Sequence, residues 1–290
     1  MNIINKRKVF YVISSTIIII GLIMMVAKGL NYGIDFTGGT SIQIKIGRMV
    51  SVDELREIMD NYDSNASIVH VGNNKDEIII KSNKDFDNEK INEIVNIFVE
   101  KYDVKTDGVQ SEKFMATMGD EIKKKAVISS IIAAVGMLIY ITWRFELKFA
   151  IAAIVALFHD VLIILSIYAI FGIPANNAFI AAILTTIGYS INDTIVIFDR
   201  IREETKLSPR LSLEDLVNLS IKKSLTRTIN TSITTLVAVI ILYIVGVEDV
   251  KVLALPLIFG IFSGTYSSLF IASPIWYALK NREIFKTKKA

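Results

Sequence analysis

The chain has 290 residues, 52% of them hydrophobic and only 21% charged, with a mean hydropathy of +0.49. Such a composition excludes a disordered chain, a collagen, a disulfide scaffold and an ordinary soluble enzyme. The absence of cysteine excludes disulfides, thiolate metal or iron–sulfur sites and thiol nucleophiles, and two histidines, His70 and His159, are too few for a His-rich metal site.

Charge is segregated along the sequence. Residues 31–125 carry 13 basic and 18 acidic side chains, net −5, whereas the remaining 195 residues carry a net +8. A polar, acidic domain is therefore set into an apolar chain with basic flanks.

In chain order, Val9–Ala27 is the first segment able to cross a membrane, since about 20 helical residues at 1.5 Å each span a ~30 Å hydrocarbon core. Lys6, Arg7 and Lys8 precede it as in a secretory signal, but no A-x-A-like cleavage site follows, so it reads as a retained anchor. Beyond it, Thr40–Ile46 alternates as a strand, Val52–Tyr62 has helical spacing, and Ala66–Val71 and Glu77–Lys81 are strands around a Gly72-Asn73-Asn74 turn. Ile91, Ile94, Val95, Phe98 and Tyr102 mark a second helix, and Val104–Gln110 a last strand. Ser51 with Glu54 forms a capping box. The order β-α-β-β-α-β is that of the ferredoxin-like α+β fold, a common fold without a function of its own, and no catalytic set or phosphate loop accompanies it.

Glu112–Lys125 then reads as a charged linker helix. Five more spans follow: Ala126–Trp143, Phe149–Phe171, Ala178–Phe198, about Ile229–Val247 and Val252–Leu279. The expected plan is a polytopic α-helical membrane protein: N-terminus 1–8, first span 9–27, external domain and linker 28–125, five-helix bundle 126–279, and basic tail 280–290. With Lys123, Lys124 and Lys125 counted to the external domain, short flanks hold 17 Lys and Arg on one side against Lys28 and Lys251 on the other, which places both termini in the cytoplasm and the domain outside.

Charged groups inside spans cost about 2.5–3.5 kcal/mol each on insertion scales, so each calls for a partner or a water path. Thr186, Tyr189, Ser190 and Asp193 share one face of the fourth span, with Asp193 roughly 8 Å below the cytoplasmic edge. A neutral Asn would serve packing at lower cost, so Asp193 reads as a protonatable carboxylate facing the bundle interior. Arg227, Asn230, Thr231 and Thr234 repeat this face on the fifth span. Arg227 either snorkels to the headgroups or, with the polar stripe continuing inward, points toward the bundle. His159-Asp160, in the middle of the third span, is open between a structural hydrogen bond and a proton path. Gly260-x-x-x-Gly264 reads as a close helix-packing face, and Arg200 with Glu204 as a solvated i,i+4 pair.

Gly33-Ile34-Asp35-Phe36-Thr37-Gly38-Gly39-Thr40, Gly188-Tyr189-Ser190-Ile191-Asn192-Asp193-Thr194 and Phe198-Asp199-Arg200-Ile201-Arg202-Glu203 together resemble the motifs of the SecD/SecF family of bacterial protein translocase subunits. The resemblance covers nearly the whole chain. It implies a resistance-nodulation-division membrane fold in the cytoplasmic membrane and a SecD partner that supplies a second acidic residue and larger external domains. It also implies association with the Sec channel, SecYEG, and use of the ion-motive force, H⁺ or Na⁺, to help draw exported unfolded polypeptides outward. No cofactor, metal or nucleic acid is implied. By the same resemblance Asp193 and Arg227 are the transport-linked charges, and Gly33, Asp35, Phe36, Gly38 and Gly39 are the family's glycine-rich signature.

Three other readings stand beside it. A small-molecule exporter of the same superfamily needs a ligand pocket of about 300–1,000 Å³, for which the external domain leaves little room. A structural scaffold without ion coupling also fits, because a sequence does not show that an ion moves. An intramembrane aspartyl protease would pair Asp160 with Asp193, yet Asp193 follows Tyr189-Ser190-Ile191-Asn192 and lacks a glycine bracket. The charge bias has a direct test: a reporter fused after Lys81 should be external and one after Ser208 cytoplasmic. A Lys81 fusion protected from protease in right-side-out vesicles would reverse the orientation.

Overall fold

The computed structural model describes residues 2–72, 74–105 and 108–287. The elements run α1 (Ile3–Lys28), α2 (Ile34–Thr37), β1 (Gly39–Lys45), α3 (Val52–Met59), β2 (Ser67–Val71), β3 (Glu77–Ser82), α4 (Asn88–Tyr102), β4 (Val109–Phe114), α5 (Ala116–Arg144), α6 (Leu147–Phe171), α7 (Asn177–Leu207), α8 (Leu213–Val245) and α9 (Glu248–Ser267). A π-helical turn, Ser268–Ala272, joins α9 to α10 (Ser273–Thr287). Two compact units result: residues 1–31, 128–173 and 178–290 form a helical bundle, and residues 32–127 with 174–177 form an α+β domain.

In the α+β domain the sheet order is β2-β3-β1-β4, antiparallel throughout, with Ile42 opposite Ile80 and Ser111, and Ile80 opposite Ile68. Period-2 alternation sends one set of side chains to the covered face: Ile42, Ile44, Ile78 and Ile80 are at most 1% exposed. Against them α3 lays Leu55, Ile58 and Met59, and α4 lays Ile91, Ile94, Phe98 and Tyr102. Both helices start at side-chain caps, Ser51 Oγ accepting from the Glu54 N–H and Asp87 from the Lys90 N–H. This is the ferredoxin-like arrangement that the element order predicts.

The last strand differs from its expected place. β4 is Val109–Phe114, not Val104–Gln110, and residues 106 and 107 of the expected strand lie outside the described residues. Val104 is buried, but from the loop after α4, while β4 runs Val-Gln-Ser-Glu-Lys-Phe with four exposed residues in its middle. An edge strand held by backbone pairing to β1 needs no apolar alternation, so periodicity overlooks it. The expected linker helix is shortened correspondingly: Glu112–Phe114 belong to β4, and Ala116 opens a helix continuous with the second span. Of the expected 72–74 turn, Asn73 lies outside the described residues.

Among the described residues, six helical segments are long and apolar enough to cross a membrane: Ile3–Lys28, Thr117–Arg144, Leu147–Phe171, Asn177–Leu207, Leu213–Val245 and Glu248–Ile284. α6 is well enclosed, burying Ala152, Ala153, Ala156, His159, Asp160 and Ile164 among others. α1, α5 and α8 instead expose apolar faces, for example Val26, Ile132 and Ile244, as helices bordering lipid or another membrane subunit do. One end of the core is aromatic, with Phe149 stacked on Trp276 at 4.6 Å and tilted against Phe198 at 4.8 Å. At the N-terminus, Asn218 Oδ1 accepts the free N–H groups of Ile3 and Ile4, docking the start of α1 on α8. The basic segment from residue 280 continues α10 as far as Thr287.

Because the sheet and two helices enclose their own apolar core, residues 31–115 produced alone should unfold cooperatively. Phe98→Ala should remove about 3–5 kcal/mol of that stability, read as a shift of the urea midpoint. A fragment ending at residue 112 cuts β4 and should be less stable than one ending at 115.

Candidate functional site

Asp160 is 1% exposed in the middle of α6, a position where an unpartnered carboxylate would be very costly. Three hydroxyls donate to it. Ser190 Oγ of α7 lies 2.6 Å and Ser267 Oγ of α9 2.7 Å from Oδ2, and Ser263 Oγ of α9 lies 2.7 Å from Oδ1. His159 completes the set, its Nδ1 3.1 Å from Oδ1. Hydrogen bonds to a charged acceptor are worth about 1.5–3 kcal/mol each, so several together offset the insertion penalty that one would not.

The hydroxyls reach Asp160 because α7 and α9 approach closely. A Cβ at Gly260 would collide with Thr186, and one at Gly264 would come 2.8 Å from Ser190 Cβ. The Gly260/Gly264 stripe is thus the packing face that its spacing suggests. Gly21 brings α1 against Ser166 of α6 in the same way.

One turn from Ser190 on α7, Asp193 is 2% exposed. Ser232 Oγ of α8 donates to its Oδ2 at 3.3 Å, and Thr265 of α9, 2.6 Å from Ser232, is a further hydrogen-bonding neighbour. Thr194 meets Ser268 of the π-helical turn at 2.8 Å, and Ser268 also reaches the Ser190 carbonyl. The two carboxylates are therefore held by separate hydroxyl sets, from α7 and α9 for Asp160 and from α8 and α9 for Asp193. Among the described hydrogen bonds none joins one carboxylate to the other.

Of the predicted fourth-span face, Thr186, Ser190 and Asp193 are buried, and half-buried Tyr189 donates from its hydroxyl to Thr235 Oγ1 of α8 at 3.3 Å. The fifth-span face is placed differently. Arg227, Asn230 and Thr234 are exposed and Thr231 is half-buried; no ion pair among the described residues joins Arg227 to Asp193, although the guanidinium is near enough for a coulombic interaction. The buried stripe of α8 is instead Ser220, Ser224, Thr228 and Ser232. Its strict four-residue spacing is visible in the sequence and was the signal to read, because i, i+4 residues share a helix face and small hydroxyl side chains permit close packing. Ser14, Ser263, Ser267 and Tyr266 were likewise missed, although Ser14-Ser15-Thr16 and Ser263-Gly264-Thr265-Tyr266-Ser267-Ser268 are polar clusters inside apolar spans.

Glu204, expected to be solvated, is 1% exposed, bound by Arg200 at 3.1 Å and by Lys223 of α8 at 2.6 Å. It ties the end of α7 to α8. Among the described residues no three His, Asp or Glu side chains gather as metal ligands.

The glycine-rich signature belongs to the α+β domain. Gly33 caps the single turn α2, its N–H bonded to the Ala175 carbonyl at 2.6 Å, and Asp35 Oδ2 accepts the Asn177 N–H at 2.9 Å. Phe36 is buried and its backbone lies against Gly119, where a Cβ would collide. Gly38 has φ +76° and Gly39 φ +143°, and a Cβ on Gly39 would strike the Ser82 carbonyl, so glycine is required there on both counts.

The fold and these residues define a multi-pass membrane protein with one ferredoxin-like domain and two carboxylates buried in its helical bundle. Residues 94–282 match the model of the protein export membrane protein SecD/SecF C-terminal region, and residues 23–47 match the SecD/SecF GG motif. The protein translocase subunit SecF of Calditerrivibrio nitroreducens is 39% identical over 96% of this chain and 93% of its own length. The protein translocase subunit SecDF of Bacillus subtilis is 36% identical over 97% of this chain, which spans only 38% of that larger protein. The crystal structure of SecDF, a translocon-associated membrane protein from Thermus thermophilus, superposes with a TM-score of 0.84 at 33% identity, covering 97% of this chain and 39% of that one. The chain belongs to the SecD/SecF family.

The close α7–α9 approach predicts the effect of filling it. Gly260→Leu should push Thr186 away and loosen the serine clamp on Asp160, costing about 1–3 kcal/mol as overpacking does. A drop in thermal midpoint of the detergent-solubilised protein would register it, with Gly136→Leu as control, since nothing lies within 4 Å of a Cβ there.

Proposed function

We propose that this chain is a SecF-type accessory subunit of protein export, which with a SecD partner uses the proton or sodium motive force to promote passage of polypeptides across the cytoplasmic membrane. The relatives supply the support for the export role: they are named protein translocase subunits, and in SecDF a region like this chain is fused within a larger protein. A partner carrying the rest of that plan follows for a chain that spans about two fifths of it. Association with SecYEG, and exported unfolded polypeptides as what the external domain handles, extend the same reading, as does the placement of both termini in the cytoplasm. The chain performs no covalent chemistry of its own.

The observation that carries ion coupling is that buried Asp193 is held by a hydroxyl, with no ion pair to it among the described residues. A hydroxyl can donate to a carboxylate or rotate to accept from a carboxylic acid. Asp193 can therefore change protonation without stranding a buried counter-charge, and Arg227, one residue from buried Thr228 on α8, stands ready to meet it when the helices shift. His159 and Asp160 together with Tyr189, Ser190, Asn230 and Thr231 are the other members of the proposed ion path, Asn230 from the exposed side of α8.

Asp193→Asn, nearly isosteric and neutral, should leave the protein inserted and bound to its partner while abolishing ion-dependent stimulation of precursor export from energised vesicles. Arg227→Lys keeps the charge without the planar fork and should retain partial stimulation. Full stimulation by Asp193→Asn at matched abundance would remove the residue from the mechanism and favour a scaffold.

A further inference from the structure

Both ring nitrogens of His159 are engaged, Nδ1 with Asp160 Oδ1 at 3.1 Å and Nε2 with Ser14 Oγ of α1 at 2.9 Å. Which nitrogen carries hydrogen follows from the groups beyond them. Tyr266 Oη of α9 lies 3.0 Å from the Phe10 carbonyl, which can only accept, so the phenol hydrogen is committed there. Tyr266 Oη then meets Ser14 Oγ, 3.3 Å away, as the acceptor, and the single Ser14 hydrogen points to Tyr266. Ser14 thus has only a lone pair to offer His159, and Nε2 must be protonated. The chain runs one way, from the imidazole through Ser14 and Tyr266 to the backbone of α1.

At the other nitrogen, a hydrogen bond between Nδ1 and Oδ1 needs one hydrogen. On Nδ1 it makes an imidazolium facing a carboxylate; on Oδ1 it makes a neutral imidazole facing a carboxylic acid. Either way the couple holds one proton and is neutral overall, the state that costs least for groups 8% and 1% exposed. The opposite polarity, Ser14 donating to Nε2 and Nδ1–H donating to Asp160, would leave a buried net anion.

We propose that His159 and Asp160 form a one-proton store for the transport cycle, and that Ser14 and Tyr266 are positioning residues that keep it loaded. The proposal rests on the ion-coupled reading above, with H⁺ as the ion. On the elements packed against the couple, the neighbouring titratable side chains are Tyr266 of α9, its ring stacked on the imidazole at 6.0 Å and 22°, and Asp193 of α7, one turn beyond Ser190; α1 presents Ser14. A helix movement that broke the Ser14–Tyr266 contact would free the serine hydrogen to turn to Nε2, and the couple could then release its proton.

With only two histidines in the chain, His70→Gln leaves His159 as the sole imidazole. His70 sits in the α+β domain, bonded to the Val50 carbonyl, and takes no part in the bundle. Full-length His70→Gln protein, ¹⁵N-labelled at histidine and reconstituted in lipid bilayers, should show Nε2 protonated at neutral pH. Adding Tyr266→Phe should bring up a species with bare Nε2 and protonated Nδ1. Bare Nε2 in the parent spectrum would overturn the proposal, and so would a Tyr266→Phe spectrum identical to the parent's. Precursor export assayed in parallel separates the two readings. If the spectra behave as expected but Tyr266→Phe at matched abundance leaves proton-dependent stimulation unchanged, the couple is loaded as described but does not serve transport. If stimulation itself is absent in the parent, the ion-coupled reading fails instead.

Discussion

The bundle depends on how one carboxylate, Asp160, is kept in the middle of an apolar helix. Its ligands come from α7 and α9, with His159 linking it to α1, so the single charge joins four helices that otherwise meet mainly through apolar side chains. Apolar packing between membrane helices has little net hydrophobic drive because lipid tails are equally apolar, whereas a polar group without partners is expensive. The geometry that follows is narrow. Serine is short, so its hydroxyl reaches a neighbouring helix only where backbones nearly touch. Gly260 and Gly264 provide that approach, and the Ser268–Ala272 π-helical turn directs Ser268 toward Thr194 and the Ser190 carbonyl. Such turns recur where a helix must redirect side chains at a functional position.

How much of this was legible in the sequence depended on whether a feature had a period. The six spans and the β-α-β-β-α-β order are carried by runs and alternations of apolar residues, and both were readable. β4 was displaced because its four middle side chains are exposed and the strand is held by its backbone, which no periodicity records. In the bundle, Asp193, His159 and Asp160 stood out because charge in an apolar span is conspicuous. Their partners did not, because serine and threonine are compatible with lipid-facing, packing and liganding positions alike. Arg227 drew attention to the exposed face of α8: a charged residue near a helix end is prominent in sequence, while the stripe one residue over, Ser220, Ser224, Thr228 and Ser232, holds the buried contacts.

Placing that stripe inside and the arginine outside has an energetic sense. A buried ion pair pays the desolvation of two charges and, when broken, strands one of them at a cost of about 3–5 kcal/mol. A transport cycle that had to break such a pair at every turn would carry that penalty in its barrier. Hydroxyls spread the stabilisation over several weaker contacts that reorient in place, so that neither the charged nor the neutral form of the carboxylate is trapped. The arginine kept at the surface of α8 adds attraction from a distance without committing the site to one state.

The two carboxylates differ in what this permits. Asp193 is held by Ser232 at 3.3 Å, with Thr265 beside it, a loose arrangement on helices α8 and α9. Asp160 receives three bonds of 2.6–2.7 Å and shares a proton with an imidazole whose orientation α1 and α9 dictate. Because short charge-assisted bonds are the strong ones, Asp160 belongs to the rigid part of the bundle and Asp193 to the part that can yield. Ser190 and Asp193 lie one turn apart on α7, so a displacement of α7 relative to α9 stretches the Ser190–Asp160 bond and moves Asp193 in the same motion. On the proposed reading, the loss of charge at one carboxylate therefore changes the hold on the other through a single helix, and no direct contact between them is required.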